Sequence, residues 1–157
     1  APAPVAVALV ALLARDWIRP NGELRDWQSD LLPREEVYEA AARELSGEIP
    51  PGSRLAMPEI GVLGYALPQA VVLDTVGLVS PRATPYLRRA AVPDPQAKYA
   101  VSTEVVAALR PDYVITLGVF AAPALLHSPE FSRAYRLKRS FETRILELGP
   151  LLIFERR

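Results

Sequence analysis

The 157-residue chain has no cysteine and a single histidine, His127. Without thiols there is no disulfide framework, no thiolate zinc site and no cysteine nucleophile, and one imidazole cannot build a histidine-based metal cluster. The missing thiols leave the redox compartment open. An excess of charge is absent too: 18 Lys plus Arg stand against 18 Asp plus Glu, which argues against a general nucleic-acid binder. Hydrophobic residues at 50% and charged residues at 23% argue equally against intrinsic disorder. Long apolar runs are scarce. Val5 to Ala14 is uninterrupted but spans only ten residues, where a bilayer crossing needs about 20, and no basic stretch precedes it as a secretory signal requires.

What is present is a neutral chain rich in proline, with 16, and in arginine, with two lysines among its 18 basic residues. It opens Ala1-Pro2-Ala3-Pro4 rather than on methionine and reads as a piece of something longer. The run 5–14 is then either the stump of a spanning helix or an ordinary helix packed on the domain. Polar residues from Arg15 to Leu32, with Trp17, Trp27 and the turn-forming Pro20-Asn21-Gly22, suggest a linker. The chain thus divides into a membrane-proximal segment or linker, 1–31, and a soluble α/β domain, 32–157.

Within that domain, Pro33 sits at a favoured first helical position, and Val37, Ala41 and Leu45 recur at four-residue spacing until Ser46 and Gly47 end the pattern. After Pro50-Pro51-Gly52, a strand is expected over Arg54–Ile60, then a short helix or turn from Gly61 to Leu67 stopped by Pro68. Ala70–Asp74 is nearly all apolar, the pattern of a strand buried on both faces. Prolines from Pro81 to Pro95 predict a long irregular loop with at most one short helix near Tyr86–Ala91. Ser102 or Thr103 caps a helix to Arg110, Pro111 stops it, and Tyr113–Leu117 is a strand. Glu130–Arg139 reads as a surface helix, and Arg144–Leu148 with Leu151–Glu155 as a terminal antiparallel pair about Gly149-Pro150.

These elements predict an α/β fold: a mostly parallel sheet with flanking helices and a C-terminal antiparallel hairpin. Ligands bind such sheets outside the carboxyl ends of the strands. Glu59 and Asp74 fall there, as do the glycines that follow them. Glu59-Ile60-Gly61-Val62-Leu63-Gly64-Tyr65 has the look of a phosphate-binding turn. Its first glycine position is a carboxylate, however, and Asp74 follows Gly61 too closely for a dinucleotide fingerprint.

That segment, with Val72-Leu73-Asp74 leading into Gly77-Leu78-Val79-Ser80-Pro81, is similar to the C-terminal extracytoplasmic domain of bacterial GT-C type membrane glycosyltransferases. These enzymes use polyprenyl-phosphate sugars and include mannosyltransferase and arabinosyltransferase relatives. Arg110-Pro111-Asp112-Tyr113-Val114-Ile115 fits the same pattern. The resemblance implies a domain on the outer side of a membrane, tethered to the spanning region of the same parent chain. It also implies that the sugar-transfer carboxylate lies in that spanning region, so no catalytic residue, cofactor or metal site is expected in these residues. The task implied is to cover the active-site mouth or orient an acceptor. Candidate contacts to a glycan or lipid-phosphate are Glu59, Gly61, Gly64, Tyr65, Asp74, Gly77 and Arg82.

Each candidate also has a plain structural use. Asp74 can close the turn to Gly77 by accepting backbone N–H bonds, Glu59 can cap the next turn, and the glycines can supply positive φ or close packing. Arg82, with Arg88 and Arg89, can meet lipid phosphate or simply stay solvated. A free-standing nucleotide- or metabolite-binding domain and a structural interaction module are the competing readings.

Overall fold

The computed structural model describes residues 22–86, 100–122, 124–144 and 148–157. The apolar run 5–14, Trp17 and most of the helix expected near 86–91 lie outside them. The chain divides into two compact units, Ala1–Leu32 and Pro33–Arg157.

Helix α1 runs Gly22–Leu45, so its first part is helix rather than linker, and Pro33 lies inside it rather than at its start. Glu23, Leu24, Arg25 and Gln28 favour the helix. Pro33 removes only one ladder bond, the one to the Ser29 carbonyl. At the other end Ser46 closes the helix as expected, its hydroxyl donating to the Arg43 carbonyl at 2.9 Å. Ala41 and Leu45 are fully buried and join Tyr38 and Ala42 in one apolar cluster, against which Val37 packs.

Five strands follow: β1 Arg54–Met57, β2 Val71–Asp74, β3 Tyr113–Leu117, β4 Tyr135–Phe141 and β5 Leu151–Arg156. Between and around them lie α2 Gly61–Ala66, a 3-10 turn Thr84–Tyr86, α3 Thr103–Leu109, α4 Gly118–Ala121 and α5 Pro129–Ala134. The strand order is β2-β1-β3-β5-β4. β1 pairs parallel with β2 and with β3, while β5 pairs antiparallel with β3 and with β4. Four strands therefore point one way and only β5 runs against them. The fold is a mixed α/β one, its sheet mostly but not wholly parallel, with flanking helices and a C-terminal antiparallel strand pair.

Side chains alternate across the sheet, as the pleat requires. Leu55, Met57, Ile115 and Ile153 face α1 and α2 on one side. Ala56, Val114, Leu152 and Phe154 face α3 and α5 on the other. Ser102 caps α3 by accepting from the Val105 N–H at 3.1 Å, and Arg110 ends it in the left-handed region at φ 45°.

Three expectations need correction. β1 stops at Met57 instead of Ile60 because Pro58 has no N–H to give a ladder. β2 is an edge strand, and Val71 is half-exposed instead of buried on both faces. The partner of β5 is Tyr135–Phe141, where a surface helix was expected, and not 144–148, of which 145–147 lie outside the described residues. Helix α5, capped by Ser128 and with Pro129 in its first turn, ends at Ala134. Tyr135 then stacks on Phe131 with ring centroids 4.8 Å apart and donates to the Pro111 carbonyl at 2.9 Å. The charges that suggested a solvated helix face have partners instead. Arg136 and Lys138 meet Glu155, and Arg139 meets Glu44 and Glu48. Such tertiary pairing outweighs helix propensity.

Candidate functional site

The connection leaving β1 leads to α2, whose Leu63 packs on the α1 side of the sheet. The connection leaving β3 leads to α5, whose Phe131 packs on the opposite side. The carboxyl ends of neighbouring β1 and β3 are thus where connections part to opposite faces, the place where open α/β sheets bind ligands. Glu59 follows β1 here. On the β3 side the mouth is occupied by the last loop: Gly118 donates to the Pro150 carbonyl at 2.8 Å, and a Cβ on Gly118 would sit 3.3 Å from the Pro150 ring.

Glu59 is held by α1. The Arg34 guanidinium donates to one carboxylate oxygen at 2.8 Å, and the Tyr38 hydroxyl makes a short hydrogen bond to the other. Arg34 and Tyr38 are four apart and so share a helix face. Burial first, and the adjacent Glu59 carboxylate second, push the Tyr38 hydroxyl far above the ordinary phenol range. The Arg34 Nε is buried without a partner among the described residues, as is the Thr75 hydroxyl next to Asp74.

Asp74 pairs in register with Met57 and is 1% exposed. Its Oδ1 accepts from the backbone N–H of Val76 at 2.7 Å and of Gly77 at 3.1 Å, and its Oδ2 from Val79 at 2.8 Å. Its own N–H donates to the Ser80 hydroxyl at 2.9 Å. Gly77 has φ 83°, which an L side chain adopts only with strain. This carboxylate is the hub of a tight turn.

The two carboxylates therefore sit at neighbouring strand ends but with separate partners, side chains of α1 for one and backbone amides for the other. Neither bonds to the other in the hydrogen bonds that hold them. Among the other candidates, Gly61 begins α2 in open space, and Gly64 faces Val72 at 3.6 Å. Tyr65 is 90% exposed, and Arg82 is exposed in the turn after Pro81. The structure brings Glu59, Gly61 and Asp74 to one end of the sheet and leaves the Tyr65 ring in solvent. His127 is exposed.

Sequence reasoning missed Arg34 and Tyr38, whose only signal was their helical spacing. It also gave no role to Asp112, at the opposite end of the sheet. That carboxylate accepts from the Arg54 N–H at 2.9 Å and from Arg156 at 2.5 Å, tying β1, β3 and β5 together. A cleft of about 240 Å³ beside Leu126, Phe131 and Arg157 lies away from the candidates, as do two others among the described residues. One, of about 340 Å³, runs between α3 and α5 along Val106, Ala107, Phe131 and Ala134. The other, of about 360 Å³, is lined by 46–51 and Gln69. No group of three or more metal-ligating side chains occurs among the described residues, and no helix there is long and apolar enough to cross a membrane.

A family described as a domain of unknown function, DUF8728, matches residues 23–153. The chain belongs to this family. The match takes in α1 from its second residue, all of the first four strands and half of β5, so the Arg34–Tyr38–Glu59 cluster and the Asp74 turn both fall inside the DUF8728 domain. No curated protein and no solved structure matches the chain.

Proposed function

We propose that this DUF8728 domain is the water-facing accessory domain of a membrane glycosyltransferase of the GT-C type, on the extracytoplasmic side. It covers the active-site mouth or orients the acceptor and performs no transfer itself. One observation carries this reading: both carboxylates of the segment that resembles those enzymes are consumed in internal bonds, Glu59 by Arg34 and Tyr38, Asp74 by three amides. A segment used in this way shapes a surface and leaves the bond-making groups to the spanning part of the parent chain. Glycan or lipid-phosphate then meets the rim of the sheet, around Gly61, Gly77 and Arg82, through backbone and guanidinium groups.

The gene upstream of the Ala1 codon tests the proposal. Several spanning segments in the same frame are expected, and a start codon directly before Ala1 overturns it. A second test is biochemical: transfer from a polyprenyl-phosphate sugar by this chain unaided would also overturn it.

A further inference from the structure

The turn that Asp74 holds has an unusual apex. Leu78 is 85% exposed and Val79, beside it, 63%. Single exposed apolar residues are commonplace, but an adjacent pair at the tip of a turn is a preformed apolar wedge. Its backbone is pinned, because the Val79 N–H is bonded to the Asp74 carboxylate and Gly77 supplies the positive φ. Little conformational entropy is left to lose on insertion.

Along the chain after Asp74, which is buried and turned into the loop, the charge is of one sign as far as Asp94. From Thr75 to Tyr86 the only charged residue is Arg82, which is exposed and has no ion pair among the described residues. In sequence, Arg88 and Arg89 come before the next acidic residue, Asp94. A chain with no net charge thus carries a stretch with cations and no anions next in sequence to the most exposed adjacent aliphatic pair among the described residues. Apolar residues at a tip with arginine next to them match the two layers of a bilayer interface, acyl chains below and anionic phosphates above. We infer that the Leu78–Val79 tip inserts into the interfacial layer of an anionic phospholipid bilayer, with Arg82 paired to lipid phosphate. This deepens the function proposed above and rests on it only for the presence of a bilayer beside the domain.

The absence of cysteine allows a local test on the full chain. Val79→Cys carries an environment-sensitive fluorophore at the tip, and Arg133→Cys carries it on exposed α5 as a control. Vesicles of mixed zwitterionic and anionic phospholipid are expected to blue-shift the label at 79 and expose it to quenchers on the acyl chains, leaving the label at 133 in water. Adding Arg82→Gln to the tip-labelled chain is expected to weaken insertion about fivefold. Leu78→Cys gives a second tip label in case Val79→Cys disturbs the turn. A tip label that stays in water while vesicles bind the chain through another segment overturns the inference. So does insertion that is equal in purely zwitterionic vesicles, or a shift without vesicles, which would reveal a protein contact. Insertion by a chain whose gene encodes no spanning segment would retire the accessory-domain reading alone. Spanning segments upstream of a tip that never inserts would retire the insertion alone.

Discussion

The Arg34 guanidinium and the Glu59 carboxylate meet at 2.8 Å, with each side chain about a quarter exposed. The contact joins α1 to the segment that leaves β1, and Tyr38 completes it from one helical turn further on. Glu59 is thereby a tie between layers as well as a candidate at the mouth of the sheet.

Glu59→Ala is expected to destabilise the fold by about 2 kcal/mol, because it strands a guanidinium and a buried hydroxyl at once. Glu59→Gln keeps an acceptor for Tyr38 and should cost about half as much. Thermal unfolding reads the difference: for a chain of this size the alanine variant should lower the Tm by about 4–8 °C. Equal effects of the two variants would show that the carboxylate charge carries the whole contribution and the retained acceptor for Tyr38 none.

Two glycines of the resembling segment should respond with opposite signs. Gly77→Ala forces a Cβ into a φ of 83° and is expected to cost about 1–2 kcal/mol. Gly61 starts α2 in open space, so Gly61→Ala should be neutral or stabilise by up to about 1 kcal/mol. Urea midpoints for both variants check this, and destabilisation by Gly61→Ala would mean that the turn needs a bare backbone there.

Alkaline pH should weaken the fold through its buried phenols. Burial comes first among the causes that raise Tyr38, Tyr113 and Tyr135. With the folded pKa above the unfolded one, their contribution is whole below about pH 10 and falls as pH rises beyond it, by up to about 1.4 kcal/mol per pH unit for each tyrosine. Tyr38→Phe should make the decline of the urea midpoint above pH 10 shallower by about one proton's worth. An unchanged slope would show that Tyr38 already ionises in the native state.

Acid acts on the opposite edge of the sheet. Arg136 first, and then Lys138, hold the Glu155 carboxyl below the usual carboxylate range. That contribution is present above the unfolded pKa and is lost as pH falls through the lower folded value. Glu155→Gln should therefore flatten the acid limb of the stability profile, which chemical denaturation at several pH values reads, and equal acid limbs for the two chains would show that Glu155 titrates alike folded and unfolded.

The legible parts of this fold were those whose reasons are local. Ser102 as a cap, Pro111 as a stop and the β-branched run Tyr113–Leu117 each specify their structure within a few residues, and the structure places them as expected. The Asp74 turn was legible for the same reason, since aspartate before a glycine can collect nearby amides. What failed depended on distant partners. Tyr135–Phe141 carries helix-forming charges and becomes a strand because Glu155, Glu44 and Glu48 lie elsewhere in the chain. The Glu59 cluster was half-visible: the carboxylate stood out at a strand end, whereas Arg34 and Tyr38 looked like ordinary helix surface until the fold brought them across.

Arg110 is the one described non-glycine residue with positive φ, at 45°, and it closes α3 just ahead of Pro111. An L side chain in this region costs about 1–2 kcal/mol, which glycine avoids. Glycine also has more freedom to lose on folding, so the net gain of Arg110→Gly should be about 0.5–1 kcal/mol. The bonds at this position survive the change because they are made by backbone: its N–H donates to the Val106 carbonyl at 2.8 Å, and its carbonyl accepts from Arg156 at 3.2 Å. Arg110→Gly is therefore expected to raise the Tm by about 1–4 °C with an unchanged urea m-value. A fall in Tm would mean that the Arg110 side chain stabilises this end of the sheet by more than its backbone strain costs.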